Sequence, residues 1–217
     1  MGEPPRRIGL LGGSFDPVHA GHLHVACAAQ RAFGLDRVVF VPAARPPHKS
    51  GRRLAAARHR VAMLELALRG RPDWTISSIE LERAGPSYTA DTVRALRAAI
   101  REPEGAQIFL ILGSDNLRGL PEWREAEWLV GHVQPIVVPR AEDPLEPAME
   151  DVERRFPPSL SAKLRRGLLP VPACPGSSSG ARAALAAGAA APDLPPGVRE
   201  YIERHGLYRD RDEAERR

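Results

Sequence analysis

The sequence predicts an α/β fold built on a parallel sheet. Short apolar runs rich in β-branched residues alternate with longer stretches of helical character. Connections of that length let each strand return in parallel through a right-handed helical crossover. Glycine-containing turns follow two of the runs, and ligands of such sheets bind beyond the carboxyl ends of the strands. We therefore expect these two turns to share one edge of the sheet with residues 42–49.

The predicted elements follow one another in a regular order. Strands are predicted at Ile8–Leu11, Val38–Val41, Trp74–Ile79, Ile108–Leu112 and Ile136–Val138, with a weaker run at Leu168–Val171. Helices are predicted between them, at about residues 20–33, 54–70, 89–101 and 122–131. The second helix is supported by an approximate amphipathic period over Leu54, Arg58, Val61, Leu64, Leu66 and Leu68.

The last third of the chain is less regular. Seven prolines interrupt residues 141–176, where we expect short helices and loops, and a further short helix is predicted at Ala183–Ala187. Residues 209–217 are dense in charge and have no apolar face, which predicts a frayed tail. Because the chain contains no internal repeat and no long linker, we expect residues 1–217 to form a single domain with an ordered core over about residues 7–208.

Composition excludes several classes of protein. Of the 217 residues 43% are hydrophobic and 27% are charged, which is ordinary for a globular protein. No apolar run approaches the roughly 18 residues of a membrane span, and the first apolar patch stops at Gly12, too early for a secretory signal. Cys27 and Cys174 are the only cysteines and lie far apart, which excludes a disulfide framework and a zinc ribbon. These observations favour a cytoplasmic protein.

Positive charge is concentrated in one part of the chain. The formal net charge is +4, and residues 31–60 contain eight Lys or Arg residues against a single acid, Asp36. Such a patch attracts anions. Only 5% of the residues are aromatic, so the stacking surfaces that single-stranded nucleic acids need are scarce. A small polyphosphate substrate fits the same charge.

The most informative segment is residues 12–22, with the sequence GGSFDPVHAGH. A glycine-rich turn that leads into a helix presents backbone N–H groups to an anion such as phosphate. Asp16, followed by proline, is typical of the start of a helix. His19 and His22 are three residues apart and are expected on one face of the first helical turns, with Gly21 leaving room for a ligand. The pattern favours binding of a nucleotide's phosphates.

Two further segments each have a structural and a functional interpretation. Pro46–Lys49 (PPHK) follows the second predicted strand and is either a rigid surface loop or a stiff arm that brings the Lys49 charge to a phosphate. Residues 87–92 (SYTADT) precede a predicted helix, where Ser and Thr are common caps. Thr89 is also suited to recognise a small polar group.

Three other positions also have both a structural and a functional interpretation. Asp115, in the segment LGSDN after the fourth predicted strand, either caps the next helix or accepts hydrogen bonds from a ribose. Trp123 lies among polar residues, which favours stacking on a heteroaromatic ring at a pocket rim, whereas Trp128 is better placed for the core. Residues 177–182 (SSSGAR) read as a flexible linker or as a helix start whose hydroxyl groups and Arg182 form a second anion site.

Taken in this order, the segments resemble the bacterial nicotinate mononucleotide adenylyltransferases, which belong to the nucleotidyltransferase superfamily with the His-x-Gly-His signature. The resemblance covers residues 7 to about 208 and includes the closing segment of residues 198–208. His19 and Pro46–Lys49 narrow it to the pyridine-nucleotide branch. The family implies a Rossmann-like, doubly wound parallel sheet flanked by helices, with a small helical C-terminal portion.

The resemblance also implies an activity. Members of the family transfer AMP from ATP to nicotinate mononucleotide, which gives nicotinate adenine dinucleotide and pyrophosphate in NAD biosynthesis without a covalent intermediate. The expected partners are these small molecules rather than nucleic acid or a membrane, and a homo-oligomer is left open. Mg²⁺ is the expected cofactor and would be bound mainly by substrate phosphates, so no protein metal ligand is assigned.

Residue roles are carried over by position. The implied catalytic residues are His19, His22, Lys49 and Arg182. The implied ATP-binding residues are Gly12, Gly13, Ser14, Phe15, His19, Gly21, His22, Gly113, Asp115, Ser178 and Arg182. The implied residues for nicotinate mononucleotide are Ser14, Lys49, Thr89, Trp123 and Arg124, with Trp123 stacked on the nicotinate ring.

The chain departs from the family pattern before Arg182, where Gly176, Ser179 and Ala181 replace an isoleucine, a threonine and a second isoleucine. Two other functions are also compatible with parts of the sequence. A related transferase for pantetheine phosphate or a polyol phosphate is disfavoured by His19, Lys49 and Trp123. A non-catalytic binder, for example of nucleic acid, is disfavoured by the intact histidine pair. The sequence does not decide between the nicotinate and nicotinamide forms of the mononucleotide.

Overall fold

Five parallel strands form the centre of the molecule. The computed structural model describes residues 7–45, 54–100, 106–139, 145–172 and 176–209. The strands are β1 (Arg7–Gly13), β2 (Arg37–Pro42), β3 (Trp74–Ile76), β4 (Gln107–Gly113) and β5 (Gln134–Val138). Their spatial order is β3-β2-β1-β4-β5, and every neighbouring pair is parallel. β1 is therefore the central strand. β2 and β3 extend the sheet to one edge, and β4 and β5 then extend it to the other, which is the doubly wound arrangement that was predicted.

Helices connect the strands and complete the chain. α1 (Ala20–Phe33), α2 (Ala57–Ala67) and α3 (Thr89–Ala99) follow the first three strands. Between β4 and β5 lie α4 (Ser114–Gly119), a 3₁₀ turn (Leu120–Glu122) and α5 (Ala126–His132). After β5 come α6 (Leu145–Glu153), α7 (Pro158–Arg166), α8 (Ser178–Ala186) and α9 (Pro196–Arg204). Within the described ranges, none of these helices combines the length and the apolar character that crossing a bilayer requires.

Two hydrophobic clusters lie on opposite faces of the sheet. In β2, Val38 and Phe40 belong to the first cluster, and Val39 and Val41 belong to the second. This alternation follows from the two-residue repeat of a strand. The first cluster includes side chains of α1, α2, α8 and α9, and the second includes side chains of α3 to α7. Because strands buried on both faces are apolar throughout, they could be located in the sequence as short apolar runs.

Two of the predicted strands differ from the structure. β3 ends at Ile76 rather than Ile79, since it is an edge strand that pairs with β2 through three residues. The weak run at Leu168–Val171 is not a strand. Leu168 forms only an isolated bridge to Val137. The Val137 N–H donates to the Gly167 carbonyl, and the Val137 carbonyl accepts from the Leu169 N–H.

The predicted helices also differ in their bounds. The helix predicted at residues 54–70 is α2, Ala57–Ala67, and the one predicted at residues 122–131 is divided into the 3₁₀ turn and α5. The predicted Ala183–Ala187 helix begins earlier, at Ser178, because Ser177 caps it. α1 has the predicted bounds.

Candidate functional site

The turns that follow β1 and β4 lie side by side at the centre of the sheet. The two strands are in direct register, with Leu11 opposite Ile111. α1, which follows β1, covers one face of the sheet, whereas α4, which follows β4, packs on the other. Doubly wound sheets bind ligands at such a point, where the strand order reverses. Both turns were predicted from the sequence to lie at this edge of the sheet.

α1 begins with two histidines that cap each other. His19 is the N-cap, and its Nδ1 accepts a hydrogen bond from the backbone N–H of Gly21 at 3.2 Å. In return, His22 Nδ1 accepts from the backbone N–H of His19 at 3.2 Å. The two ring centroids are 3.9 Å apart. The arrangement is a capping box in which imidazoles stand in place of the usual hydroxyl and carboxylate.

These bonds fix where each ring carries its proton. A backbone N–H can only donate, so both Nδ1 atoms act as acceptors. A neutral imidazole with Nδ1 as acceptor holds its proton on Nε2. Each ring therefore carries its N–H on Nε2, at the N-terminus of a helix, where negative charge is stabilised. This chemistry suits the oxygen atoms of a phosphate.

Two glycines near the histidines make room for aromatic rings. A Cβ atom on Gly21 would lie 2.9 Å from Cε1 of His19, and one on Gly13 would lie 3.1 Å from the ring of Phe15. The space beside Gly21 thus accommodates the His19 ring, and the role predicted for Gly21 in binding ATP stays a prediction. Gly12, by contrast, is exposed and has open space on its Cβ side.

Phe15 belongs to the hydrophobic core. Its side chain is fully buried, with its ring centroid 5.0 Å from that of His22 and 5.8 Å from that of Phe40. Its backbone is in the left-handed region, with φ of 47°. Any contribution of Phe15 to phosphate binding therefore comes from its backbone, and its side chain packs edge-on against the His22 ring.

Asp16 is not the helix cap that the sequence suggested. α1 starts four residues later, and the cap is His19. Asp16 is 1% exposed, and its Oδ1 accepts from the Tyr208 hydroxyl at 2.7 Å and from the Ala55 N–H at 3.2 Å. The prediction was wrong because both partners are distant in sequence, so no local pattern shows them.

Arg60 is a site residue that sequence reasoning missed. It is 2% exposed, and its guanidinium donates to the Ser14 carbonyl at 2.8 Å and to the Ala55 carbonyl at 3.0 Å. Burial lowers the pKa of Arg60, and the neighbouring Asp16 and Tyr208 oppose that shift. The sequence contained one indication that Arg60 is buried, since the next positions on the same face of α2, Met63 and Leu64, are apolar.

The start of α8 packs on the turn after β1. Ser177 caps the helix, and the Ser178 hydroxyl donates to the Pro17 carbonyl at 3.0 Å. The Arg182 guanidinium donates to the Asp16 carbonyl and lies 4.0 Å from its carboxylate. The structure therefore brings Ser178 and Arg182 to the segment that contains the two histidines. The polar groups of α8 reach this position although Gly176, Ser179 and Ala181 depart from the family pattern.

The turn after β4 is simpler. Gly113 is buried and is the N-cap of α4, and Asp115 lies exposed in the first turn of that helix. The Asn116 amide donates to Asp115 Oδ1 at 3.3 Å. Asp115 is therefore not the cap, which leaves the ribose interpretation of its carboxylate as the prediction to test.

Three of the residues predicted for the mononucleotide, Thr89, Trp123 and Arg124, lie at the start of α3 and beside α5, on the second face of the sheet, whereas Ser14 lies in the turn after β1. Thr89 is the first residue of α3, and the N-cap residue Tyr88 makes no capping bond with its side chain. The Arg124 guanidinium lies 4.9 Å from the centre of the Tyr88 ring and 3.5 Å from Asp91. These contacts bring Arg124 to the start of α3, next to Thr89.

The two tryptophans of this region do not differ in the way the sequence suggested. Trp123 and Trp128 are both half-buried and both pack against the second cluster. Trp128 is stacked on His132, with 4.3 Å between ring centroids, and it also contacts the Arg94 guanidinium at 3.9 Å. The degree of burial is therefore similar for the two tryptophans, and it does not support the predicted difference in which Trp128 belongs to the core and Trp123 to a pocket.

Ser87 ties the loop after β2 to the loop before α3. Its hydroxyl accepts from the N–H groups of Ala44 and Arg45 at 3.0 and 3.2 Å, and its own N–H donates to the Arg45 carbonyl at 3.0 Å. Pro46–Lys49 follows directly but lies outside the described residues. The role predicted for Lys49 therefore stays a prediction.

Comparison with known proteins first defines a class. A family model described as cytidylyltransferase-like matches residues 10–179. The match includes the glycine turn, both histidines and the turn after β4, so the doubly wound sheet and its central site are those of a cytidylyltransferase-like nucleotidyltransferase.

Individual relatives narrow this class. A protein named "Probable nicotinate-nucleotide adenylyltransferase" from Bordetella petrii is 44% identical over 207 residues, which cover 94% of this chain and 100% of that protein. A protein of the same name from Thermus thermophilus is 42% identical over 204 residues, which cover 94% of this chain and 100% of that protein. The chain belongs to the nicotinate-nucleotide adenylyltransferase family.

A solved structure supports the fold. The structure of Plasmodium falciparum nicotinic acid mononucleotide adenylyltransferase complexed with NaAD has a TM-score of 0.72 and 22% identity to this chain. The likeness covers 94% of this chain and 97% of that one. At this level of identity the likeness concerns the fold.

Proposed function

We propose that this enzyme transfers AMP from ATP to nicotinate mononucleotide and releases nicotinate adenine dinucleotide and pyrophosphate, as a cytoplasmic step of NAD biosynthesis. The observation that carries the proposal is the mutual capping of His19 and His22 beside the glycine turn. It supplies two neutral donors where a triphosphate would meet the N-terminus of α1. The family relationship supports the choice of substrates.

The reaction needs no general base. An oxygen of the mononucleotide 5′-phosphate attacks the α-phosphorus of ATP, and the bond between that phosphorus and the bridging oxygen to the β-phosphate breaks. The attacking phosphate is already an anion, and pyrophosphate leaves with the electrons of the broken bond. The protein therefore has two tasks, to align the reactants and to stabilise charge on the phosphoryl oxygens in the transition state.

Residues around β1 perform these tasks in the proposed mechanism. His19 and His22 donate their Nε2–H groups to oxygens of the α- and β-phosphates. Gly12, Gly13 and Ser14 supply backbone donors over the first turn, while Gly113 and Asp115 of the neighbouring turn receive the adenosine. Ser178, Arg182 and Lys49 complete the set and bind the departing pyrophosphate or the incoming phosphate.

The mononucleotide binds on the α3 side in this proposal. Trp123 stacks on the nicotinate ring, and Thr89 with the first turn of α3 holds its carboxylate. Arg124 already lies against Tyr88 at the start of that helix, so it can add positive charge near the same group.

Mg²⁺ enters the proposal as part of the MgATP substrate. Among the residues that the structure describes, no group of three or more His, Cys, Asp or Glu side chains could hold a metal ion. Asp16, the acid nearest the histidines in sequence, has its carboxylate bonded to Tyr208 and Ala55. Oxygens of the triphosphate are then the ligands that Mg²⁺ prefers, and no step is assigned to a metal held by the protein.

A pyrophosphate-release assay tests the proposal. The purified protein is given MgATP with nicotinate mononucleotide, nicotinamide mononucleotide or phosphopantetheine in parallel. We expect pyrophosphate and nicotinate adenine dinucleotide in equal amounts, and slower turnover of the nicotinamide form, which lacks the carboxylate. Turnover of phosphopantetheine alone would replace the proposal by the related transferase, and no turnover together with salt-sensitive binding of RNA or DNA would favour the non-catalytic binder.

A further inference from the structure

The last described residues of the chain return to its first turn. The Tyr208 hydroxyl donates to Asp16 Oδ1 at 2.7 Å across 192 positions of sequence. Tyr208 follows α9 and has a φ of 64°, in the left-handed region that residues other than glycine rarely adopt. Such a conformation persists only where surrounding contacts maintain it, and it is often found near functional sites.

Asp16 creates an electrostatic difficulty that these contacts relieve. Asp16 is 1% exposed and lies two residues after Ser14 and three before His19. An uncompensated negative charge at that place would repel the phosphates of ATP. Two hydrogen bonds, from the Tyr208 hydroxyl and the Ala55 N–H, are directed to Oδ1, and the Arg182 guanidinium lies 4.0 Å from Oδ2.

Arg60 fixes the same turn from the side of α2. Arg60 is 2% exposed, and its guanidinium donates to the Ser14 carbonyl at 2.8 Å. It also donates to the carbonyl of Ala55, the residue whose N–H reaches Asp16. A buried guanidinium therefore joins the Ser14 carbonyl of the turn to the residue that also bonds Asp16, which fixes the backbone of the turn from this side.

We propose that Tyr208 is a positioning residue for the phosphate-binding turn. It acts through Asp16: its hydroxyl holds the carboxylate away from the triphosphate and keeps the turn in the conformation that binds ATP. The inference rests on the proposed function, since it assigns the ATP phosphates to this turn. It also gives the C-terminal segment a role in binding the first substrate.

A second tyrosine provides a matched control. Tyr201 lies on α9, and its hydroxyl is 2.9 Å from Nδ1 of His59 on α2. Tyr201→Phe and Tyr208→Phe each remove one hydroxyl that joins the C-terminal segment to the rest of the protein. Of these two hydroxyls, only that of Tyr208 contacts the turn. If the hydroxyls served the stability of the fold alone, both variants would have the same effect on substrate binding.

The test compares the Michaelis constants of the two variants. We expect Tyr208→Phe to raise the KM for ATP about tenfold, since a hydrogen bond to a buried carboxylate is lost, and to leave the KM for nicotinate mononucleotide within about twofold. Tyr201→Phe should leave both constants within about twofold of the wild type. Equal effects of the two variants on the KM for ATP, or a rise of both constants together in Tyr208→Phe, would overturn the inference.

A double-mutant cycle shows whether Tyr208 acts through Asp16. Asp16→Asn keeps an acceptor oxygen but replaces a charge-assisted hydrogen bond with a weaker neutral one. The effect of Tyr208→Phe on the KM for ATP should therefore be at least about threefold smaller in the Asp16→Asn background. An equal effect in both backgrounds would contradict action through the carboxylate.

Binding without turnover separates this inference from the proposed function. Calorimetry with a non-hydrolysable ATP analogue measures the dissociation constant of the wild type, Tyr201→Phe and Tyr208→Phe. If the wild type fails to adenylylate nicotinate mononucleotide but binds the analogue, the proposed function fails, and a weaker affinity of Tyr208→Phe alone still supports the positioning role. Equal affinities of all three proteins would overturn it, whatever the reaction.

Discussion

His19 and His22 combine a structural bond and a chemical group in the same ring. Each Nδ1 accepts a backbone N–H at the start of α1, so each Nε2 keeps its proton. Serine and glutamate would cap the helix equally well, but neither would present a neutral N–H donor to a phosphate. Under the proposed mechanism, the phosphate ligand rather than helix stability explains histidine at both positions.

This reasoning predicts the effect of His22→Gln. Glutamine at the third helical position can keep the bond to the His19 N–H, so the melting temperature should stay close to that of the wild type. The ring donor is lost, and we expect kcat to fall by about 10²–10³. The matched control is His24→Gln on the same helix, where Nε2 contacts the Pro172 carbonyl at 3.1 Å. A fall in kcat that is equal in the two variants would contradict the role of His22.

Trp123 allows a second test at a single residue. Trp123→Ala should raise the KM for nicotinate mononucleotide by about tenfold, since stacking on an aromatic ring contributes about 1–3 kcal/mol per base, and should change the KM for ATP less than twofold. Steady-state kinetics with each substrate varied in turn measure both constants. Trp128→Ala is the control, because that ring is equally half-buried but contacts His132 and Arg94. Equal effects of Trp123→Ala on both substrates would count against stacking.

At the scale of single residues, the sequence revealed the short motifs of the site but not the contacts between residues that are far apart in the chain. The histidine pair, the glycine turn and the group of Ser178 with Arg182 are short patterns with a clear chemical meaning, and the structure brings them together. Asp16 was taken for a cap because an Asp-Pro pair is typical of a helix start. Its actual partners lie 39 and 192 residues away, and Arg60 reaches the turn from a different helix. Single-sequence reasoning has no access to such pairs.

The end of α7 approaches the backbone of β5 closely. Gly167 caps α7, and a Cβ atom there would lie 2.0 Å from the carbonyl oxygen of Pro135. Backbone atoms cannot yield as a flexible side chain does. The same close approach forms the isolated bridge of Leu168 to Val137 that resembled a strand in the sequence.

Gly167→Ala should therefore be strongly destabilising. We expect the free energy of unfolding to fall by about 3 kcal/mol or more, at the upper end of what overpacking costs. Urea denaturation measures the change. Gly131→Ala serves as the control, since its Cβ would meet nothing within 4 Å inside α5, and alanine there should raise stability by about 0.5 kcal/mol. A Gly167→Ala protein within about 1 kcal/mol of the wild type would show that α7 can move away from β5 at little cost.

The contact between α2 and α9 predicts a pH dependence. Burial lowers the pKa of His59 below 6.5, and Arg58 and His205 act in the same direction. The unfolded chain then binds the proton more readily than the folded one, so this contribution to stability is present above about pH 6.5 and is lost as the pH falls below it. His59 is only partly buried, so the effect is small.

The variant His59→Gln isolates this contribution. The difference in melting temperature between the wild type and His59→Gln should be smaller at about pH 5.5 than at about pH 7.5, because glutamine does not titrate. Scanning calorimetry at the two pH values measures it. The other groups of the molecule titrate in both proteins and cancel in the comparison. A difference that does not change with pH would contradict the assignment.

On the scale of the whole molecule, one sheet joins two hydrophobic clusters. The strands contribute alternate side chains to both faces, for example Leu110 to the second cluster and Ile111 to the first. The sequence predicted this architecture well, because apolar runs, connection lengths and glycine turns are all visible in one chain. It could not show which helices cover which face, since that depends on the order of the strands in the sheet.

Shared strands predict that the two faces unfold together, as expected for a single domain. Met63 on α2 and Met149 on α6 are both fully buried, one in each cluster. Met63→Ala and Met149→Ala should each lower the free energy of unfolding by about 2–5 kcal/mol, the cost of a cavity in a core. Urea titrations followed by tryptophan fluorescence and by circular dichroism should coincide in one transition for both variants, with the slope of the wild type. Two separate transitions, of which each variant shifts only one, would instead show two faces that fold independently.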